Sequence, residues 1–205
     1  MENKIGLYKT VSKACGPIIH KDRKSKFYAY TFPITEEKDV KPIIESLRKK
    51  HATASHVCYA WRIGVQKQTY RVNDDGEPNN SAGIPIYGQI KSFELTNVLI
   101  AVVRIFGGTK LGVGGLISAY RTAAQLALES SPIIEKSVKV NYQLSFSYPR
   151  LSKVMRLIKQ NPVKIINQDM SMDCILVISV NVNDASQVKN LFKSINGVSV
   201  VKLNK

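Results

Sequence analysis

Residues 97–128, NVLIAVVRIFGGTKLGVGGLISAYRTAAQLAL, carry the strongest structural signal in the chain. The first part is a nearly continuous apolar run, which is typical of a central strand buried on both faces of a sheet. From residue 117 onward, Ala and Leu recur at helical spacing and predict a helix. Five glycines lie between the two patterns. The stretch therefore predicts a strand, a glycine-rich loop and a helix in succession.

The patterns on either side of this stretch predict an α+β fold. Upstream they predict three strands, over residues 26–35, 55–64 and 67–72, and two helices, over residues 35–51 and 85–95. Downstream they predict strand, helix, two strands, helix and strand, which is the βαββαβ order of a ferredoxin-like sandwich. The segment SSPIIEK interrupts the periodicity between the two halves. We therefore expect two domains, 1–132 and 133–205.

The charge of the chain predicts a polyanionic partner. Its formal net charge is +15 and its pI about 9.8. The excess occurs in both halves: residues 1–130 hold 19 Lys and Arg against 11 Asp and Glu, and residues 131–205 hold 11 against 4. RNA is the polyanion such a protein most often meets, although a general need for solubility also accounts for basic character.

The apolar runs and the cysteines indicate the cellular compartment in which the protein is expected. No apolar run reaches the roughly 18 residues that a membrane span needs, and the first residues lack a signal-peptide core. The three cysteines, Cys15, Cys58 and Cys174, are far apart, which argues against a disulfide framework and against a thiolate zinc site. We therefore expect a cytoplasmic protein without a membrane partner.

The glycine-rich loop matches neither common nucleotide motif. Gly107 and Gly112 have the spacing of a Walker loop, but Val113 stands where that motif needs lysine. Gly112 and Gly114 fit the dinucleotide fingerprint, but Ile117 replaces its third glycine. The loop still precedes a helix whose free N–H groups favour an anion.

Cations flank the free N–H groups of this loop, so we predict a phosphate- or nucleic-acid-binding site there. Its candidate residues are Arg104, Gly107, Gly108, Lys110, Gly112, Gly114, Gly115 and Arg121. The same glycines also suit a purely structural role, in which they let the helix pack tightly on the strand. A loop of this composition suits a protein contact as well, and the sequence leaves all three roles open.

A second candidate feature is the acidic loop NDDGEP, residues 73–78. Asp74, Asp75 and Glu77 crowd into four positions of a basic chain. Close carboxylates hold Mg²⁺ or shift each other's pKa for acid–base work. The alternative, which we favour, is an Asp-Gly turn whose side chains bond to their own backbone or pair with Arg104 or Lys110.

The remaining chemistry-bearing residues give weak signals. No two of the three histidines share a helix face at metal-ligand spacing. His56 is a candidate site residue, although it also suits a hydrogen-bonded position in the core. We expect no metal and no cofactor, and we identify no catalytic residue.

The motifs KSKFYAY, ASHVCYAWRIG, NDDGEPNNSAGIPI and residues 95–128 resemble the IMPACT/YigZ family in order and spacing. The resemblance covers roughly residues 17–130. It implies an N-terminal domain of the ribosomal-protein type and a C-terminal ferredoxin-like domain similar to the last domain of elongation factor G. It also implies a role in translation regulation, since eukaryotic relatives act in the response to amino-acid starvation stress.

Charge, loop and resemblance together favour a non-enzymatic protein that associates with RNA or the ribosome. Lys110, Arg104 and Arg121 would contact phosphate, and the three carboxylates of the acidic loop would brace the glycine loop by pairing with those cations. One alternative is an enzyme acting on a phosphorylated small molecule or nucleic acid, with Mg²⁺ held between the acidic loop and the glycine loop. Another is a module that binds a protein partner in translation control.

Overall fold

The computed structural model describes residues 6–203, which divide into two compact units. One unit comprises residues 8–136, and the other comprises residues 6–7 with 137–203. The fold is mixed α+β, as predicted, with eleven strands and five α-helices in the described part of the chain. None of the helices in this part combines the length and the apolar character that a membrane crossing requires.

The elements have the following bounds. The strands are β1 (Leu7–Val11), β2 (Cys15–Asp22), β3 (Ser25–Pro33), β4 (His56–Ile63), β5 (Thr69–Asn73), β6 (Val98–Ile105), β7 (Ile133–Ser137), β8 (Lys139–Phe146), β9 (Val163–Met170), β10 (Cys174–Asn181) and β11 (Val198–Leu203). The α-helices are α1 (Val40–Lys50), α2 (Gly83–Ser92), α3 (Gly112–Glu129), α4 (Leu151–Gln160) and α5 (Ala185–Lys193).

A five-stranded antiparallel sheet of order β2-β3-β6-β4-β5 forms the centre of the first unit. Strand β6 occupies the middle, and its residues are buried from Val98 to Arg104. Val98, Ile100 and Val102 pack with α2 and α3 on one face, whereas the alternate residues pack with α1 on the other. This burial on both faces explains the continuous apolar run and confirms the predicted central strand.

Three strands of this unit were not predicted. β2 pairs with β3 at one edge of the sheet, and β1 pairs with β7 in a separate two-stranded sheet. The segment interpreted as an interruption is thus partly strand, because Ile133–Ser137 finds its partner more than a hundred residues earlier in the chain. This pairing keeps residues 133–136 with the first unit, and the division falls between Lys136 and Ser137.

The second unit contains a four-stranded antiparallel sheet of order β11-β8-β10-β9. Together with α4 and α5 it has the element order and strand order of a ferredoxin-like sandwich. Burial alternates strictly along β10, and its inward residues share one core with Val154, Val188 and Phe192 of the helices. The predicted βαββαβ order is confirmed.

Candidate functional site

Asp74 of the acidic loop holds the beginning of α2. Its Oδ1 accepts hydrogen bonds from the backbone N–H groups of Ala82 and Gly83, at 2.9 and 2.8 Å, and its Oδ2 accepts one from Asn80 at 2.9 Å. The first N–H groups of a helix lack intrahelical partners, and a carboxylate satisfies them especially well. Asp74 therefore bonds to local backbone, as in the turn interpretation, and pairs with none of the predicted cations.

Asp75 links the acidic loop to α1 and β4. Its Oδ1 lies 2.5 Å from Arg48 Nη2, and its Oδ2 accepts the N–H of Val57 at 2.6 Å. The bracing hypothesis is wrong for Asp74 and Asp75, because their hydrogen bonds go to backbone groups and to Arg48. Arg48 lies 27 positions away in sequence, so local spacing gave no signal for this contact.

Glu77 forms a buried ion pair with Arg104, as the bracing hypothesis requires. The Glu77 side chain is 3% exposed, and its Oε1 accepts hydrogen bonds from Arg104 Nη1 at 2.7 Å and from the Tyr120 hydroxyl at 2.8 Å. Burial, followed by the neighbouring Cys58, raises the pKa of Tyr120, which keeps the hydroxyl protonated as a donor. Tyr120 is a member of this site that the sequence did not reveal.

Arg104 is held inside the protein rather than at an open strand end. The residue is 5% exposed, and its guanidinium carbon lies 5.7 Å from the Phe27 ring centre and 5.5 Å from that of Phe106. Its Nε is buried and lacks a hydrogen-bond partner among the described residues. This geometry assigns Arg104 first to the ion pair with Glu77, and its contact with phosphate stays a prediction.

His56 lies at the beginning of β4 beside this ion pair. Its Nδ1 is 2.8 Å from the backbone carbonyl of Asp75, which can only accept, so Nδ1 carries the proton of the neutral ring. Its Nε2 lies 3.9 Å from Glu77 Oε1, and the side chain is 25% exposed. In the neutral ring Nε2 is therefore the nitrogen that accepts a hydrogen bond.

Cys58, in contrast, is not a reactive group. Its Sγ contacts the Asp74 carbonyl and the Tyr120 hydroxyl at 3.0 and 3.3 Å. Burial raises the pKa of this thiol far above its usual value, which keeps it protonated and poorly nucleophilic. Cys58 is therefore a buried residue of β4 that takes part in local hydrogen bonding.

The glycines of the predicted phosphate site fall into two groups. At Gly107 a Cβ atom would lie 2.1 Å from the backbone carbon of Lys24, so this glycine serves close packing. Gly108 and Gly112 have φ values of +87° and +72°, which favour glycine, and a Cβ there would meet nothing within 4 Å. Gly114 faces the same open space, and Gly115 is restricted only by the side chain of Leu111.

The beginning of α3 is therefore open. Its N-cap residue, Leu111, makes no side-chain capping bond, and Lys110 beside it is exposed. Free N–H groups at a helix N-terminus carry partial positive charge. Arg121 is exposed farther along the same helix, and at 1.5 Å per residue it lies about 13 Å beyond Gly112.

His56, the Glu77–Arg104 ion pair and the beginning of α3 line one cleft of about 440 Å³. Its polar side is formed by His56, Glu77 and Arg104, with Lys110 contributing the exposed cation. Its apolar side is formed by Pro78, Phe106, Leu111, Val113 and Leu116, with Ser55 and Gly112 completing the lining. The structure thus brings His56, the ion pair and the beginning of α3 together, whereas Arg121 is not among the lining residues.

The acidic loop does not form the predicted alternative magnesium site. Its three carboxylates diverge, since Asp74 faces α2, Asp75 faces Arg48 and Glu77 faces Arg104. Within residues 6–203, no group of three or more His, Cys, Asp or Glu side chains is arranged to hold a metal ion. The loop acts as a structural connector between α1, α2 and β6.

Comparison with known proteins identifies the family. The family model described as the Impact N-terminal domain matches residues 23–128, which is just over half of the chain. The chain is 30% identical to the IMPACT family member YigZ of Escherichia coli over 165 residues, which covers 80% of this chain and 81% of YigZ. The chain therefore belongs to the IMPACT family.

Two further similarities extend along the chain. The IMPACT family member YvyE of Bacillus subtilis is 32% identical over 138 residues, which covers 67% of this chain and 64%, just under two thirds, of YvyE. A crystal structure described as that of a hypothetical protein superposes with a TM-score of 0.75 at 25% identity. That superposition covers 98% of this chain and 99% of the other, so both units are similar to those of a solved structure.

Proposed function

We propose that this IMPACT family member acts in translation control as a non-enzymatic, cytoplasmic protein that binds RNA or the ribosome. The observation that carries the proposal is the open beginning of α3, where exposed Lys110 adjoins helix N–H groups that no side chain caps. A phosphate group fits such a site because it accepts several N–H hydrogen bonds and its charge complements the helix dipole and the lysine. Arg121 supplies a second cation on the exposed side of α3.

The distribution of cations in the second unit supports the same proposal. Its helical segments carry six cations and no acidic residue between the helix termini: Arg150, Lys153, Arg156, Lys159, Lys189 and Lys193. All but Lys189 are exposed. The centre of the sheet, in contrast, alternates apolar residues with Asn141, Gln143 and Ser145 on β8. Phosphate contacts of this unit are therefore expected mainly on its helices rather than on its sheet.

The test is the binding of a fluorescein-labelled RNA stem-loop to the full chain between about 50 and 200 mM salt. We expect wild type to lose affinity steeply, and Lys110→Ala and Arg121→Ala each to reduce the slope of log K against log salt by about one. Lys91→Ala is the matched control, because Lys91 is exposed in the last turn of α2 and does not line the cleft. If both variants bind with the wild-type slope, the phosphate contacts are elsewhere. If wild type itself binds weakly and without salt dependence, the RNA proposal fails.

A second candidate function is an enzyme acting on a phosphorylated small molecule. The specific observation is the cleft itself, where His56 Nε2 and the buried, unpartnered Arg104 Nε lie beside the open beginning of α3. Thermal shift assays with nucleotides, with and without Mg²⁺, test this candidate. A saturable Tm increase that His56→Asn removes would favour the enzyme, and a uniform lack of response would leave the RNA proposal as the better one.

A third possibility, a module that binds a protein partner, is distinguished from RNA binding by a pull-down from cell extract with and without nuclease. If the protein retains a partner in extracts after nuclease treatment and at moderate salt, a protein contact replaces the RNA contact. Binding that nuclease abolishes supports the RNA proposal.

A further inference from the structure

In the turn between β2 and β3, two cationic residues adopt a backbone conformation that is unfavourable for their side chains. Asp22 pairs with Ser25, which leaves Arg23 and Lys24 as a two-residue loop with φ values of 41° and 69°. Two-residue hairpins with positive φ at both positions are type I′ turns, which strongly prefer Asn-Gly or similar pairs. Arg and Lys carry a Cβ atom that disfavours this region, and neither offers the short side chain that makes Asn tolerable there.

This turn packs directly against the glycine loop. A Cβ on Gly107 would lie 2.1 Å from the carbonyl carbon of Lys24 and 2.4 Å from the backbone nitrogen of Ser25. The Gly107 N–H also donates to Ser25 Oγ at 3.3 Å. Lys110 follows three residues later, so its backbone lies within about 10 Å of this contact. The hairpin tip and the beginning of α3 therefore share one stretch of surface.

The charges on this surface are free of internal partners. Lys21, Arg23, Lys24 and Lys26 are all exposed, and half-buried Asp22 is the single acidic residue among them. None of the four cations forms an ion pair within 4 Å with the described residues. A turn that served the fold alone would gain stability from Asn-Gly. Side chains that suit neither the turn nor an internal contact indicate an external anion.

We propose that Arg23 and Lys24, together with Lys110, form one phosphate-binding surface that contacts the RNA backbone. This inference rests on the proposed function and extends it to a hairpin that neither the charge pattern nor the glycine motif had identified. Cations on two adjoining loops match the repeated charges of a nucleic-acid backbone, and they provide affinity without base specificity.

The decisive variant is Arg23→Asn/Lys24→Gly, which installs the preferred type I′ sequence and removes two charges. Because the new residues fit the turn, we expect Tm to rise by about 2–4 °C. Because two phosphate contacts disappear, we expect the salt slope for the RNA stem-loop to fall by about two and the affinity at low salt to fall at least tenfold. A variant that is more stable yet binds less tightly excludes misfolding as the cause.

Two controls make the result specific. Lys49→Gln/Lys91→Gln removes the same charge from exposed positions of α1 and α2, and it should leave the slope within a few tenths of wild type. Arg23→Lys/Lys24→Arg keeps both charges and should retain wild-type affinity. Equal losses in the turn variant and in the helix-lysine variant would overturn the inference in favour of a diffuse charge effect.

The outcomes separate this inference from the proposed function. If wild type binds RNA with a steep salt slope and the turn variant matches it, the hairpin surface is refuted and the proposed function stands. If wild type shows no salt-dependent binding, the hairpin surface and the proposed function are both refuted. If the turn variant loses a protein partner but not RNA, the surface contacts protein and the inference is again overturned.

Discussion

Glu77 and Arg104 form the ion pair whose removal has the clearest expected effect on stability. Both side chains are more than nine tenths buried, so each neutralises a charge that water cannot reach. We expect Glu77→Gln to lower the free energy of unfolding by about 3 kcal/mol, because it leaves the Arg104 guanidinium buried and uncompensated. Urea unfolding monitored by fluorescence measures this change. A double variant, Glu77→Gln/Arg104→Met, should recover part of the loss, and strictly additive losses would contradict the pairing.

His51 gives the protein a pH-dependent term in its stability. Its Nε2 shares a 2.7 Å hydrogen bond with the Tyr30 hydroxyl, and burial, followed by the charge of Lys50, lowers the pKa of His51 below its usual 6.5. The folded state thus binds fewer protons than the unfolded state, so stability is lost as the pH falls from 6.5 toward the folded pKa. We expect the drop in Tm between about pH 7.5 and pH 5 to be smaller in His51→Gln than in wild type. An unchanged drop would assign the pH dependence to other groups.

Sequence reasoning located the glycine-rich loop and the acidic loop but not the contacts of their side chains. The glycine spacing and the dense carboxylates identify both loops, because such compositions are rare within regular elements. Which carboxylate meets which cation depends on the packing of distant segments. Arg48 is 27 positions from Asp75, and Tyr120 is 43 positions from Glu77. Sequence patterns relate residues that are close together along the chain, so they cannot assign partners this far apart.

Helix α2 depends on Asp74 for its N-terminus. The carboxylate accepts three backbone N–H groups, and the N-cap residue of the helix, Ala82, makes no side-chain capping bond. We expect Asp74→Ala to cost about 2 kcal/mol and to accelerate amide exchange first in the opening turn of α2. Hydrogen exchange measured by mass spectrometry resolves this segment. Asp169→Ala, on the exposed strand β9, is the control and should change little. Uniformly faster exchange throughout the unit would contradict a local capping role.

The glycine loop contains a matched pair of positions with opposite expected effects. Gly107→Ala places a Cβ against the backbone of Lys24 and Ser25, so we expect a loss of about 2 kcal/mol and a displaced β2–β3 hairpin. Gly114→Ala points into open space within the first turn of α3, and a gain of about 0.5 kcal/mol is expected because alanine favours the helix. Thermal unfolding of both variants compares them directly. Equal destabilisation would show that the space above α3 is closed.

The elements that could be predicted are those whose burial leaves a periodic pattern. Strand β6 is buried on both faces and α3 on one, so each shows a clear apolar run or helical spacing. Strands β1 and β7 are five residues long and half-exposed, and they exist because they pair with each other across the chain. The alternation along β2 is interrupted by the Gly16–Pro17 step. Non-local pairing of short strands leaves too little local pattern for prediction.

At the scale of the whole chain, basic charge is spread over both units, whereas the three acidic groups that crowd into one loop are engaged in internal contacts. Asp74, Asp75 and Glu77 are bound to backbone groups, Arg48 and Arg104. Exposed cations beside the glycine loop and on α4 form no ion pair with these carboxylates, so they can contact a negatively charged partner. Under the proposed function the acidic loop has an indirect part, because its carboxylates are engaged internally and do not pair with Lys110.

The two units have separate cores, and this predicts separate responses to core damage. Leu176 on β10 and Leu128 on α3 are both fully buried, each within a core built from one unit alone. Leu176→Ala and Leu128→Ala should each lower stability by about 3 kcal/mol through lost contacts and a cavity. Native-state hydrogen exchange should show the loss of protection in residues 137–203 for the first variant and in residues 8–136 for the second. Faster exchange throughout both units in either variant would mean that the chain unfolds as a single cooperative body.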